Sequence, residues 1–296
     1  MTRIQANLAL LLAAAIWGGG FVAQSQAMAH IGPNWFNALR FGLALCAILP
    51  FVWHEARRAT VTLSMREWIG FTLAGLCLLA GQTAQQIGIQ TTTVTNASFL
   101  TGLYVVLVPV ISVLVLKRSP HWVIWPAALL SLVGIFFLSG GSLSALNGGD
   151  LLIILCALFI AGQIILTGLM VRLSGRPMAL SAMQFAVCVI GATAAGAAVE
   201  PFDAVGISAA LPQILYAGLL SSGVAFVLQV VGQRYTTSPQ AAIFLSSEAL
   251  FGALFGAWLL GETLPTIGYI GCATLFSAML LVELVPEVTR RRVKNA

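Results

Sequence analysis

Apolar runs of about twenty residues recur along the whole chain, and each is long enough for a helix to cross the hydrocarbon core of a bilayer. Of the 296 residues, 59% are hydrophobic and only 8% are charged, whereas about a quarter are charged in an ordinary soluble domain. The runs are continuous, while barrel strands would alternate polar and apolar residues. The sequence therefore predicts an all-α polytopic membrane protein.

We predict ten transmembrane helices, at 7–28, 35–53, 68–89, 96–116, 122–138, 150–171, 178–199, 210–233, 239–260 and 265–284. The connections between them are too short to hold a soluble domain, so residues 1–296 form one membrane domain. All five cysteines lie within these helices without CxxC spacing, which favours packing over disulfide or metal chemistry.

A secretory signal peptide is an alternative for the N-terminal run, because Arg3 precedes it and small residues at 27–29 follow it. Trp17 and Gln24 make this run less uniformly apolar than a typical signal core, and the repeat described below requires it. We expect it to be retained as the first membrane helix.

The basic residues predict the orientation, since Lys and Arg collect in cytoplasmic connections. With the N-terminus inside, thirteen of the fourteen lie at the inner face and only Arg40 falls within a helix. Asp150, Glu200, Asp203 and Glu262 fall in the outer connections. We therefore expect a bacterial-type cytoplasmic (inner) membrane protein whose N- and C-termini are cytoplasmic, with a basic tail at 285–296. The net charge of +5 is a topology signal and indicates no nucleic-acid partner.

The two halves of the chain resemble each other at an offset of about 145 residues. Four pairings keep this order and spacing: Phe41 with Phe185, 91–92 with 236–237, 99–100 with 244–245, and Pro120 with Pro265. Because five helices per repeat is an odd number, the repeats must have opposite orientations. The sequence predicts two inverted five-helix repeats, at about 7–139 and 150–284, around a central cavity, an arrangement found in secondary transporters.

Polar side chains form stripes along several predicted helices. The stripes are Gln82, Gln85, Gln86 and Gln90; Trp17, Gly20 and Gln24; Gln163 and Thr167; and Ser222, Gln229 and Gln233. An amide that faces lipid leaves its donors and acceptors unpaired. Dry hydrogen bonds between helices would satisfy a single stripe. The number of stripes favours a shared polar cavity that binds a small-molecule substrate.

Glu248 lies in an apolar stretch, LSSEALFGALFG, and shares a helical face with Gly252 and Gly256. Small residues four apart mark the side where membrane helices approach closely, so the carboxylate points into the bundle. Ionisable groups inside a membrane are candidates for function. Contact with a substrate ammonium, proton coupling and gating stay open, as does a structural hydrogen bond.

Arg40 lies about a turn and a half from Trp35, which marks the outer end of the second helix. We expect its side chain to extend to the outer headgroups. The alternatives are that it holds a substrate carboxylate or that it pairs with Glu248 across the cavity.

Four segments resemble the drug/metabolite transporter superfamily, specifically its EamA-type ten-helix members, and among these the YddG-type amino-acid exporters: AAIWGGGFV, ALRF, NASFLTGLYVVLVP and LSSEALFGALFGAWLLGETL. The resemblance implies a central cavity surrounded by helices 1, 3, 4, 6, 8 and 9. It places Trp17, Arg40, Tyr104 and Glu248 at motif positions. One departure is Ala249, where many relatives have proline.

The sequence argues against a membrane enzyme, because all three histidines lie in connections and Glu248 is the only carboxylate deep in a predicted helix. We expect no metal and no cofactor. The prediction is an exporter of small amphipathic metabolites, amino acids including aromatic ones, by alternating access. A channel-like facilitator and an exporter of drug-like or toxic organic compounds are the alternatives. Whether the protein forms a homodimer is left open.

Overall fold

The computed structural model describes residues 1–92, 94–117, 119–138, 147–260 and 266–295, and all of the regular structure in these ranges is helical. Predictions that concern Arg118, Glu262, Pro265 and most of the 139–149 connection lie outside the described residues, and so do the surroundings of Gly256. The helices, in chain order, are α1 (Arg3–Ala27), α2 (Pro33–Arg58), α3 (Met65–Gly88), α4 (Val94–Thr101), α5 (Tyr104–Leu114), α6 (Ile124–Leu138), α7 (Gly148–Ser174), α8 (Pro177–Val199), α9 (Ala204–Ala209), α10 (Leu211–Leu215), a π-helical segment (Tyr216–Ala225), α11 (Phe226–Gln233), α12 (Ser238–Leu245), α13 (Glu248–Leu260) and α14 (Thr266–Asn295).

Seven helical stretches of the described chain are long and apolar enough to cross a membrane, and α6 is a shorter apolar helix. Helix α3 is not among the seven, and its glutamines lower its hydropathy. Large apolar side chains such as Ile190 (71% exposed) and Trp258 (78% exposed) lie on the outside of the bundle. A soluble protein rarely exposes so much apolar surface, whereas lipid covers it.

Local capping residues set where several helices begin. Thr2, Ser64 and Asn147 accept backbone N–H groups at the starts of α1, α3 and α7, and each side chain forms a reciprocal capping box. Helix α7 is capped at its C-terminus by Gly175, whose φ of +65° is a left-handed conformation that glycine adopts without steric cost. That turn leads directly into α8.

Helices α2 and α8 pack along their length and cap each other. At one end, Glu55 near the end of α2 accepts the backbone N–H groups of Met178 (2.9 Å) and Ala179 (3.0 Å). At the other end, Glu200 at the end of α8 accepts those of Asn34 (3.0 Å) and Trp35 (3.1 Å). Each carboxylate therefore satisfies two backbone donors that the first turn of a helix leaves unpaired.

Two helical paths that the sequence predicted as continuous are interrupted. The predicted helix at 96–116 divides into α4 and α5 at Gly102–Leu103, and the one at 239–260 divides into α12 and α13 at Ser246–Ser247. The hydroxyl groups of Ser246 and Ser247 donate to the carbonyls of Ile243 (2.9 Å) and Phe244 (2.6 Å), and such back-bonding bends helices. Thr101 and Tyr104 at the first interruption and Glu248 after the second line a cavity that is described below.

Three phenylalanines pack together in the largest buried cluster. The ring centroids of Phe41 on α2 and Phe185 on α8 lie 5.9 Å apart, and Phe226 on α11 lies within 6.3 Å of both. This apolar layer joins α2, α8 and α11 beside the cavity.

Candidate functional site

A narrow cavity of about 40 Å³ lies among α1, α2, α3, α4, α5, α7, the π-helical segment, α11 and the start of α13. Six of the fifteen lining residues are aromatic or aliphatic, and five amides, two hydroxyl groups, one guanidinium and one carboxylate supply the polar part. The residues that line it are Trp17, Phe21, Gln24, Arg40, Gln82, Gln85, Thr101, Tyr104, Ile160, Gln163, Ile164, Ser221, Phe226, Gln229 and Glu248. This volume is well below the range of about 300 to 1,000 Å³ typical of small-molecule sites, so the cavity has to widen to enclose a small organic ligand.

Of the residues predicted as cavity residues, the structure places Trp17, Gln24, Gln82, Gln85, Tyr104, Gln163, Gln229 and Glu248 in the wall, together with Arg40. Helices α1, α3 and α7 run in regular α geometry beside the cavity, so residues such as Gln82 and Gln85, which share a face on a helical wheel, lie together in its wall.

Two predicted residues lie behind the wall instead. Gln86 is fully buried between α3 and α1, where its amide donates to the carbonyl of Gln24 (3.3 Å). Ser222 is also fully buried, and its neighbour Ser221 lines the cavity. The π-helical segment explains the second difference, because its wider turn shifts the side-chain register that an α-helical wheel predicts.

Six further residues line the cavity that the sequence did not predict: Phe21, Thr101, Ile160, Ile164, Ser221 and Phe226. Phe21 lies four residues after Trp17 and three before Gln24, so helical spacing alone places it on the same face. No local sequence pattern predicts Phe226 as a cavity residue. Its ring packs against that of Trp17, with the ring centroids 4.8 Å apart. That contact joins residues more than two hundred positions apart.

Glu248 is the first residue of α13, directly after the interruption. Its Oε1 accepts the hydroxyl of Tyr104 (3.3 Å), which begins α5 after the other interruption. The two interrupted helices thus bring a carboxylate and a phenol together in the cavity wall. A carboxylate at a helix N-terminus is favoured by the helix dipole.

Helix α13 approaches α1 closely beside this carboxylate. A Cβ placed on Gly18 would lie 2.6 Å from the backbone nitrogen of Gly252 and 2.8 Å from the carbonyl oxygen of Glu248. Gly252 therefore lies on the close-contact side of α13, as its spacing from Glu248 indicates. Because Gly18 has no side chain, the backbone of Glu248 and Gly252 can pack directly against α1.

The expectation that Arg40 reaches the outer headgroups is wrong. The side chain is 1% exposed and lines the cavity, because amides from three helices accept its N–H groups: Asn37 (3.0 Å), Gln24 (3.2 Å) and Gln82. The ion pairs found in the described ranges are Arg3 with Glu283 and Arg176 with Glu55. Arg40 and Glu248 consequently form no ion pair.

A second amide network lies beside the cavity, on α7, α8 and α11. Gln229 donates to Gln163 (3.0 Å), and Gln163 donates to Gln184 (2.8 Å) and Thr167 (3.1 Å). These hydrogen bonds connect α11, α7 and α8. The polar side chains of these helices are therefore hydrogen-bonded to one another at the edge of the cavity. Over the described residues, His, Cys, Asp and Glu side chains form no group of three able to hold a metal.

Comparisons with known proteins agree with a membrane transporter. The model of the EamA-like transporter family matches residues 4–140 and again residues 147–284. An uncharacterized transporter of Archaeoglobus fulgidus is 34% identical over 285 residues, which cover 95% of this chain and 87% of that protein. The uncharacterized transporter YwfM of Bacillus subtilis is 24% identical over 95% of this chain and 94% of its own length.

The fold also resembles a solved structure named "Crystal structure of protein", with a TM-score of 0.77 and 16% identity over 96% of this chain and 98% of that one. At 16% identity, this similarity shows only that the two proteins share a fold. The family model accounts for nearly the whole chain, and it indicates a transporter and not an enzyme. The chain therefore belongs to the EamA-like transporter family of the drug/metabolite transporter superfamily.

Proposed function

We propose that this protein exports small amphipathic metabolites, with amino acids including aromatic ones as its substrates, by alternating access to the central cavity. One observation carries the proposal: the cavity wall holds one guanidinium and one carboxylate that do not pair with each other, beside aromatic rings. A zwitterion with an apolar side chain presents the complementary groups.

The topology we propose has ten membrane helices in two inverted five-helix repeats. Three observations support it. Glu55 and Glu200, which are 145 positions apart, each cap the helix on which the other lies, and Phe41 contacts Phe185. The two helix interruptions are 144 positions apart. The double match of the family model also supports it. Substrate sites of such transporters lie between the repeats, at interrupted helices.

The proposed location is a bacterial-type inner membrane with both termini in the cytoplasm. The distribution of basic residues supports this orientation, because the connections predicted to lie outside contain none. The basic residues at 290–294 then lie at the cytoplasmic surface, where they can contact anionic headgroups.

Glu248 and Tyr104 are proposed to receive the substrate ammonium. The carboxylate is the acidic group of the cavity wall, and Tyr104 holds one of its oxygens while Oε2 has no protein donor among the described residues. A cation placed there compensates a negative charge in a poorly solvated site, where electrostatic attraction is strong.

Uptake of a panel of amino acids into proteoliposomes, with and without a pH gradient, tests the proposal. We expect saturable transport of aromatic and large aliphatic amino acids by the wild type, and at least about a tenfold loss in Glu248→Gln, which removes a charge-assisted interaction. The variant must first elute as a single species by size exclusion. Transport of lipophilic drugs but of no amino acid would contradict the proposed substrate class.

A further inference from the structure

Arg40 is a buried cation that no acidic side chain neutralises over the described part of the chain. Its three hydrogen-bond acceptors are neutral amide oxygens, and the rings of Phe36 and Phe41 lie 5.4 and 4.7 Å from its guanidinium carbon. Taking a charge out of water is unfavourable, and neutral partners offset only part of this cost. A bound anionic ligand that contacts the guanidinium would offset the rest of this cost.

The amides around Arg40 are oriented by other contacts. Gln24 donates its NH₂ group to the carbonyl of Gly20 (3.2 Å), and Asn37 donates to the carbonyl of Gln82 (3.3 Å). These bonds fix which end of each amide carries the oxygen, and both oxygens face the guanidinium. The cation is therefore held in one position before any ligand arrives, which lowers the entropy cost of binding.

The guanidinium also keeps donors for a ligand. An arginine carries five N–H groups, and the amides accept one from Nε, one from Nη1 and one from Nη2. One N–H on each terminal nitrogen is left, and Arg40 lines the cavity. Two N–H groups of a planar guanidinium can donate to the two oxygens of one carboxylate.

We infer that Arg40 is a preformed carboxylate-binding residue, and that the protein selects substrates with a free carboxylate over neutral or purely cationic analogues. This inference rests on the proposed function, because it assigns the second end of the zwitterion whose ammonium end lies at Glu248. The inference narrows the substrate class to compounds with a free carboxylate, because amines, amides and cationic drugs lack the carboxylate that Arg40 binds.

Binding to the purified protein in detergent, measured by calorimetry, tests this selection independently of transport. The probes are L-phenylalanine, 3-phenylpropionate, L-phenylalaninamide and 2-phenylethylamine, which share one ring and differ in the two charged groups. For the wild type we expect L-phenylalanine to bind at least about tenfold more tightly than its amide, the range of a hydrogen bond to a charged group. We also expect 3-phenylpropionate to bind and 2-phenylethylamine to bind more weakly than L-phenylalanine.

The variant Gln82→Glu gives the sharper test, because it places a carboxylate of nearly the same shape against Arg40. We expect it to fold at least as stably as the wild type and to bind L-phenylalanine no better than the amide. The matched control is Gln90→Glu, which adds the same charge at an exposed position beyond α3 and should keep the wild-type preference. If Gln82→Glu does not fold, the four probes on the wild type still decide.

Equal wild-type affinity for L-phenylalanine and its amide would overturn the inference, and so would the absence of binding by both carboxylate probes. A full preference for L-phenylalanine in Gln82→Glu would also overturn it. Carboxylate-dependent binding without amino-acid uptake into proteoliposomes would instead contradict the proposed transport and leave the role of Arg40 standing.

Discussion

Glu55 and Glu200 each cap the helix on which the other lies. Glu55 near the end of α2 accepts two backbone N–H groups at the start of α8, and Glu200 at the end of α8 accepts two at the start of α2. The antiparallel pair is thus joined at both ends, on the order of 30 Å apart for helices of this length. Both helices begin with proline, which lacks the donor that the first position would leave unpaired.

The first prediction concerns these caps. Glu55→Gln and Glu200→Gln should each lower the free energy of unfolding by about 1 to 2 kcal/mol, because an amide has one acceptor oxygen in place of two and carries no charge. The double variant should show the sum, since the two sites are far apart. Thermal unfolding in detergent measures both.

Glu67→Gln is the matched control for the caps. Glu67 completes the capping box of α3 from within the same helix, on an exposed surface, and glutamine serves equally well at that position. It should lower the unfolding temperature less than either of the other changes. An equal loss in all three variants would show that the caps between α2 and α8 contribute nothing specific.

A second prediction concerns the crossing of α1 and α13. Gly18→Ala should lower transport and stability, because the added methyl group meets backbone atoms of Glu248 and Gly252 that cannot move independently of α13. Gly252→Ala is the control, since its nearest contact is 3.5 Å, an ordinary van der Waals distance. Proteoliposome uptake and thermal unfolding of the two variants give the comparison. The prediction fails if both variants behave alike.

A third prediction concerns the aromatic wall. Trp17 donates its indole N–H to the carbonyl of Ser221 (3.0 Å) and packs against Phe226. Trp17→Ala should weaken the binding of aromatic amino acids by about two- to tenfold, the range of a single aromatic pair. The binding of L-alanine should change less. Equal losses for both substrates would mean that Trp17 supports the fold and does not contact the ligand.

The structure shows what local spacing can and cannot predict. Helical periodicity placed Gln82, Gln85 and Gln163 on the correct faces, because a side chain's direction on a regular helix depends only on its neighbours. It misplaced Ser222, where the π-helical segment changes the period. It also gave no sign that α12 ends at Leu245, since serine pairs occur in straight helices as well.

Arg40 illustrates the other limit. Its distance from Trp35 along the sequence indicates an interfacial position, yet the guanidinium turns inward to Gln24 on α1 and Gln82 on α3. The caps by Glu55 and Glu200 were likewise missed. These features depend on contacts between residues far apart in the chain, and no local pattern encodes which helices will be neighbours.

Counterflow of labelled L-phenylalanine tests the central claim most directly, namely that one cavity with polar groups in its wall is reached alternately from each side of the membrane. In proteoliposomes preloaded with unlabelled L-phenylalanine, we expect uptake of the label to be saturable and faster than in empty ones, since a carrier returns loaded. Flux that rises linearly with concentration and ignores the preload would identify a continuous pore and contradict the account.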